Sequence, residues 1–425
     1  MRLALISDTH FGDPFCTLVG SSGTGKPVAG PRYDDFLKAA GRRNDYLILL
    51  GDILDFAIQS YSKAYEAARA FFTMVQNDGV ARQIVYVPGN HDEDIWHIVE
   101  HQVNIIHQIE QKRLPREFRM SLPGVIDARR RRRRQRLVLP GVTERRVRGQ
   151  LGYGGLFLDA LTASGGKPTR FNFTYPNLYF ASDAGGVLVT HGHYLEPYWA
   201  VASEWAPDLF GPDLQVHDPM LLREMVAVNF PLNQLACSGT GQAGPLTPII
   251  YRIQADVAAK RLEVLEPALD RAERVLLGHF FRKSGVDVRR WLAALAARFL
   301  RKSLLRSLRT MEGSRYNAEF MKSAAVRKRF ETFYARSLGE VDELNETYGL
   351  ELPHPATVIF GHTHQPVAWG APEAALLRTP SGAAVALFNS GGWVERVRPD
   401  GSKEFWGAEV FRFDTSAGWS SVSVR

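Results

Sequence analysis

The feature that most constrains this chain is a pattern that recurs five times. A short apolar run, long enough for one buried strand, ends each time in a turn rich in metal-binding side chains. Leu3–Ile6 leads into Asp8-Thr-His10, Tyr46–Leu50 into Gly51-Asp52-Ile-Leu-Asp55, and Ile84–Val87 into Pro88-Gly89-Asn90-His91-Asp92. Val187–Thr190 leads into His191-Gly-His193, and Thr357–Phe360 into Gly361-His362-Thr-His364. Runs of this length, bounded by glycine and turn residues, read as strands. Helical stretches at Arg32 to Arg43 and Tyr61 to Gln76 lie between the first three, so strand and helix alternate and the fold class is α/β. In such a sheet the carboxyl ends of the strands share one edge, where ligands bind. Asp8, His10, Asp52, Asn90, His191, His362 and His364 are therefore expected to meet there. They are more ligands than one ion takes, and Asp52 can bridge two. Nitrogen and oxygen donors without thiolate suit manganese, iron or zinc rather than copper(I) or an iron–sulfur cluster.

The set resembles the calcineurin-like metallophosphoesterase family. The family pattern is Asp-x-His, Gly-Asp-x-x-Asp, Gly-Asn-His-Asp/Glu, His-Gly-x and Gly-His-x-His, and all five motifs are matched in order, Asp55 included. The resemblance implies a four-layer α-β-β-α sandwich with a large, mainly helical insertion. Val385 to Trp393, with Asn389, would form a strand beside the site, and strands around Ala408 to Phe413 and Ser420 to Val424 would finish a second sheet. It also implies two divalent metal ions, manganese first, with iron and zinc as alternatives. Asp52 would be the bridge, with Asp8, His10 and His364 on one ion and Asn90, His191 and His362 on the other. A water activated by the pair would attack phosphorus. His91 would give a proton to the leaving oxygen, and Asp55 and Asp92 would orient histidines or close the turn. His193 is an extra histidine that would support a ligand or touch the substrate.

Within that family the chain resembles bacterial UDP-2,3-diacylglucosamine pyrophosphohydrolases, whose insertion forms a lid over acyl chains. It departs from them in its greater length, in His91 where many carry Arg, and in an arginine-rich stretch. The reading is thus a phosphodiester or pyrophosphate hydrolase acting on a nucleotide- or lipid-linked substrate under a helical cap. Two alternatives stay open: a nuclease using the arginines on DNA or RNA, and a non-catalytic scaffold.

At 425 residues, one catalytic core with an insertion fits best: residues 1–193 and 355–425 as core, with an Arg-rich loop around 114–167, and 194–354 as the helical insertion. The loop holds Arg129 to Arg136, whose seven arginines equal the whole formal net charge of +7. The basicity is therefore local, and suits a solvated loop, nucleic acid or an anionic membrane surface. In the insertion, Val288, Trp291, Leu292, Leu295 and Phe299 share a helical face, while Leu300, Leu304 and Leu308 fall on another. Gly278-His279 imitates the last motif but lacks its second histidine, so His279 is expected to be structural. Gly20 to Lys26 has phosphate-loop spacing, but Pro27 follows where Ser or Thr is needed, so it reads as a loop. After Asp92 a helix is expected to Gln111, with Ile95, Val99, Val103, Ile106 and Ile109 as its apolar stripe. Cys16 and Cys237 cannot build a disulfide framework. The apolar run after Arg2 is too short for a secretion signal. The expected location is cytoplasmic, with peripheral membrane contact as an alternative.

Overall fold

A computed structural model describes residues 1–130, 136–142, 155–162, 169–236, 242, 267 and 320–425, apart from 373, 379–381 and 399–400. The chain divides into two compact units, Met1–Gln242 with Ser314–Arg425, and Ala243–Gly313. Apart from residue 267 the second unit lies outside the described residues, and with it the stretch from Val288 to Leu308 and His279. Arginines 131–134 and Cys237 also lie outside them.

The strands are β1 (Arg2–Ile6), β2 (Val19–Ser21), β3 (Pro27–Ala29), β4 (Asn44–Leu50), β5 (Ala81–Val87), β6 (Gly124–Asp127), β7 (Arg136–Val138), β8 (Arg170–Phe173) and β9 (Asn177–Ser182). They continue with β10 (Gly185–Thr190), β11 (Pro355–Phe360), β12 (Ala375–Arg378), β13 (Ala384–Asn389), β14 (Glu395–Val397), β15 (Lys403–Phe405), β16 (Ala408–Asp414) and β17 (Gly418–Val424). The helices are α1 (Tyr33–Ala40), α2 (Tyr61–Asn77), α3 (Asp94–Glu100), α4 (His107–Glu110), α5 (Gly155–Asp159), α6 (Pro197–Phe210), α7 (Leu222–Ala236) and α8 (Ala324–Tyr348).

One sheet runs β17-β16-β1-β4-β5-β8 and the other β12-β13-β11-β10-β9-β6-β7. Side chains alternate across a strand, and here both faces are apolar. Leu3 and Leu5 of β1, Ile48 and Leu50 of β4, and Val85 and Val87 of β5 pack with Leu178, Phe180, Val187, Val189 and Ile359 of the second sheet. The opposite faces, through Ala4, Ile6, Leu47, Leu49, Ile84 and Tyr86, join the core containing Phe36 of α1 and Phe71, Phe72 and Val75 of α2. On the far side, α8 packs on the second sheet: Phe330 meets Phe360, and Ser337 accepts a hydrogen bond from Asn177 at 3.0 Å. Two facing sheets between helical layers are the architecture that the resemblance implies.

Three local expectations are corrected. The last two strands form where the pattern puts them, but they close the edge of the first sheet rather than the second. β16 pairs antiparallel with β1, Leu3 opposite Phe413, which places Phe411 and Phe413 between the sheets. The helix after Asp92 is interrupted by a π-helical segment at His101–Ile106. Its wider turn shifts the phase, so Asn104 and Gln108 are buried while Ile106 and Ile109 are exposed. Finally, the segment expected as an Arg-rich loop contributes β6 and β7 to the second sheet. Residues 22 to 26 turn between the paired strands β2 and β3, so the Gly20 to Lys26 stretch enters no helix.

Candidate metal centre

The ends of β1, β4, β5, β10 and β11 deliver the motif residues to one edge, and all seven expected ligands are buried. Asp8, His10 and His364 present ligand atoms within 4.8 Å of one another, as do Asp52, His191 and His362. His364 Nε2 lies 3.3 Å from Asp8 Oδ1 and 3.1 Å from His10 Nε2. His191 Nε2 lies 3.2 Å from Asn90 Oδ1. Asp52 Oδ2 lies between the two groups, 3.7 Å from His10 Nε2 and 3.4 Å from His191 Nε2.

The protons on the rings decide whether this cluster suits cations. An imidazole that donates from one nitrogen keeps a lone pair on the other, and metal-binding histidines are commonly fixed in this way. His10 Nδ1 donates to Asp55 Oδ2 at 2.7 Å, and His191 Nδ1 to the Leu50 carbonyl at 3.1 Å. His362 Nε2 donates to Glu196 Oε2 at 3.1 Å. Lone pairs of His10 and His191 therefore face carboxylate and amide oxygens that carry no proton either. Asp52 Oδ2 and His362 Nδ1 are buried without a hydrogen-bond partner among the described residues. Buried acceptors converging on acceptors are unfavourable alone and are satisfied by divalent cations.

Residues 1–221, just over half the chain, match the calcineurin-like phosphoesterase family. The chain belongs to that family. It is accordingly a metal-dependent phosphoester hydrolase. No curated protein matches the chain. The family match ends before His362 and His364, so the fold itself brings the phosphoesterase's last motif to the first four.

The phosphoesterase holds these candidate ligands on unusual backbone. Asp8 (φ 52°), His10 (47°), Asp52 (51°), His362 (68°) and His364 (55°) are left-handed, a conformation that costs energy outside glycine and concentrates at functional sites. Two motif glycines have a steric reason. A Cβ on Gly361 would lie 2.4 Å from Asp8 Oδ2, and one on Gly51 would lie 2.3 Å from His191 Nδ1. The turns come that close because side chains from different strands rest on them.

Around the ligands, Asp55 accepts from His10 and, through Oδ1, from His91 Nδ1 at 2.8 Å. Burial alone would raise Asp55, but His91 and His10 outweigh it and hold the carboxyl far below its usual range. Asp52 is likewise held well below, burial being outweighed by His191 and His91. Asp92 accepts from the backbone of Gly89 at 2.7 Å and Ile53 at 2.8 Å and so ties the Asp52 turn to the Asn90 turn. His193 is buried with neither ring nitrogen bonded among the described residues, and burial beside His191 and His362 pushes its pKa well down. Its ring lies 4.1 Å from that of Tyr194.

The sequence reading missed Glu196, the partner of His362. It is also held by Trp199 Nε1 at 3.0 Å, and a glutamate three residues past His193 carries no local signal of this contact. A second missed group is Glu93, buried and accepting from Tyr175 at 2.5 Å. Burial pushes its carboxyl up to about 8. A raised acid binds its proton more tightly in the folded chain, so its contribution to stability is complete below the unfolded value, near 4.3. That contribution is lost as pH rises through about 8. Glu93→Gln should therefore flatten the fall of unfolding free energy across this window by up to about 1.4 kcal/mol per pH unit. Denaturant melts from pH 5 to 9 measure it; parallel profiles for the two proteins would refute it.

Proposed function

We propose that the chain hydrolyses a phosphodiester or pyrophosphate bond in a nucleotide- or lipid-linked substrate, using two divalent cations with manganese as the first choice. Asp8, His10 and His364 would hold one cation and Asn90, His191 and His362 the other, with Asp52 shared. The observation that carries this reading is Asp52 Oδ2, within 3.7 Å of His10 and 3.4 Å of His191 and without a hydrogen-bond partner among the described residues. When bound, such cations lower the pKa of water and offset charge on the phosphoryl oxygens.

The protein's own residues do the rest. Asp55 orients two imidazoles at once, His10 as a ligand and His91 as the proton donor to the leaving oxygen. The His91 side chain is 15% exposed while Asp55 is fully buried, which lets substrate reach His91 and keeps water from Asp55. Glu196 fixes the ring of His362. Asp92 keeps the Asp52 and Asn90 turns in register.

Two observations favour a small or lipid-linked substrate over a nucleic acid strand. Arg129 is bound to Asp127 and to the Leu350 and Glu351 carbonyls, Arg130 is bound to Asp183 at the β9–β10 turn, and Arg136 lies opposite Asp127 in the strand register. That rim is the opposite end of β10 from His191, about 20 Å away at ~3.3 Å per residue. Next to the site, α6 exposes Tyr198 (42%) and Trp205 (44%), apolar area suited to an acyl chain. No helix among the described residues is long and apolar enough to cross a membrane.

The test is turnover of bis-p-nitrophenyl phosphate, a nucleotide-diphospho-lipid and single-stranded DNA by chelator-treated protein before and after added Mn²⁺. Activity on the first two should vanish with chelation and return with metal. Full activity in the metal-depleted protein, or preference for DNA, would overturn the reading.

A further inference from the structure

Helices α6, α7 and α8 enclose a cavity of about 350 Å³ that no part of the proposed hydrolysis uses. Lys328, Thr332 and Arg336 line it from α8 at steps of four residues, with Arg329 beside Lys328 on the same side of the helix. Ser203 and Glu204 of α6 lie across from them, and Tyr194 forms the inner wall. Glu204 Oε1 accepts from Arg329 Nε at 2.5 Å. Arg329 Nη1 and Arg336 Nε are buried without hydrogen-bond partners among the described residues. Neither Arg336 nor Lys328 has an ion-pair partner among those residues. Burial disfavours the charged guanidinium of Arg336, and Glu204 and Glu224 offset that only in part, yet arginine stays charged in proteins. A half-buried guanidinium with unused donors calls for an acceptor. Arginine forks match the oxygens of phosphate and carboxylate, and the hydroxyls of Ser203 and Thr332 add donors of the same kind.

We infer that this cavity is an anion site for a phosphate or carboxylate group, held by Arg336, Lys328 and the outer face of Arg329. Its volume accommodates such a group together with part of the molecule that carries it. The site adjoins the ligand cluster through two ring contacts: Tyr194 lies 4.1 Å from His193, which lies 5.6 Å from His191. The anion is either a second charged group of the substrate or a separate small anion. The first source rests on the proposed hydrolase reading, whereas binding itself does not.

The experiment compares full-length, Mn²⁺-loaded wild type with Lys328→Gln/Arg336→Gln, using inorganic phosphate in titration calorimetry and two substrates in kinetics. The wild type should bind phosphate at one more site than the double variant. Loss of one charge-assisted contact weakens binding about tenfold or more. With bis-p-nitrophenyl phosphate, the variant should keep kcat and KM. If the anion belongs to the substrate, KM for a nucleotide-diphospho-lipid rises about tenfold with little change in kcat. If it is a separate anion, KM is unchanged and only phosphate binding is lost. Equal phosphate stoichiometry and equal KM values would overturn the inference. Should the double variant fold poorly, Lys328→Glu, on the exposed side of the cavity, should give the same loss of phosphate binding; unaltered binding there would also overturn it. Failure of the wild type to turn over either substrate would sink the hydrolase reading alone, because calorimetry still decides the anion site.

Discussion

Asp52→Asn should abolish turnover. The carboxylate sits between two histidine groups, 3.7 Å from His10 Nε2 and 3.4 Å from His191 Nε2, so losing its charge weakens both cation sites at once. Metal assistance stabilises the transition state by several kcal/mol, and each 1.36 kcal/mol is tenfold in rate, so kcat should fall about a thousandfold or more. The substitution is isosteric, and Asp52 Oδ1 can still accept from the His91 backbone, a bond of 2.8 Å in the native protein. Metal content by elemental analysis, read beside kcat on bis-p-nitrophenyl phosphate, should fall together with the rate. A variant that keeps both would refute the shared-ligand role.

The second large effect is expected at His91, with an opposite signature. His91 Nδ1 is engaged by Asp55 at 2.8 Å, and in the proposed reaction the protonated ring gives a proton to the leaving oxygen. Proton transfer of this kind contributes about 10²- to 10⁴-fold. His91→Gln should lower kcat by that order on a substrate whose leaving group is an alkoxide. On bis-p-nitrophenyl phosphate, whose leaving phenolate needs little protonation, the loss should be far smaller. Metal content should stay at the wild-type value. An equal loss on both substrates would show that His91 acts through the ligands rather than on the leaving oxygen.

The two variants separate what can be read in the sequence from what cannot. Asp52 and His91 stand in motifs that local spacing exposes, because a strand end, a glycine and a polar pair are features of neighbouring residues. Gly51 and Gly361 are legible for the same reason, although the ring and carboxylate that would strike their Cβ atoms come from strands far away in the chain. Glu196 escaped because its role depends on His362, 166 positions later. Ile106 and Ile109 were misplaced because a π-helical turn changes the period on which the stripe was counted.

By itself the sequence determined the chemistry: seven nitrogen and oxygen side chains able to hold cations on strand ends, an alternating α/β order, and a basicity confined to one run. Those properties depend on residue type and short spacing, which tertiary contacts do not alter. Only the tertiary structure decided which sheet takes the last two strands, which carboxylate steadies His362, and that three cations of α8 share a cavity with one glutamate. Pairing partners, buried proton donors and unbalanced charge are set by residues distant in the chain meeting in space, and a period of 2 or 3.6 residues holds no information about that meeting.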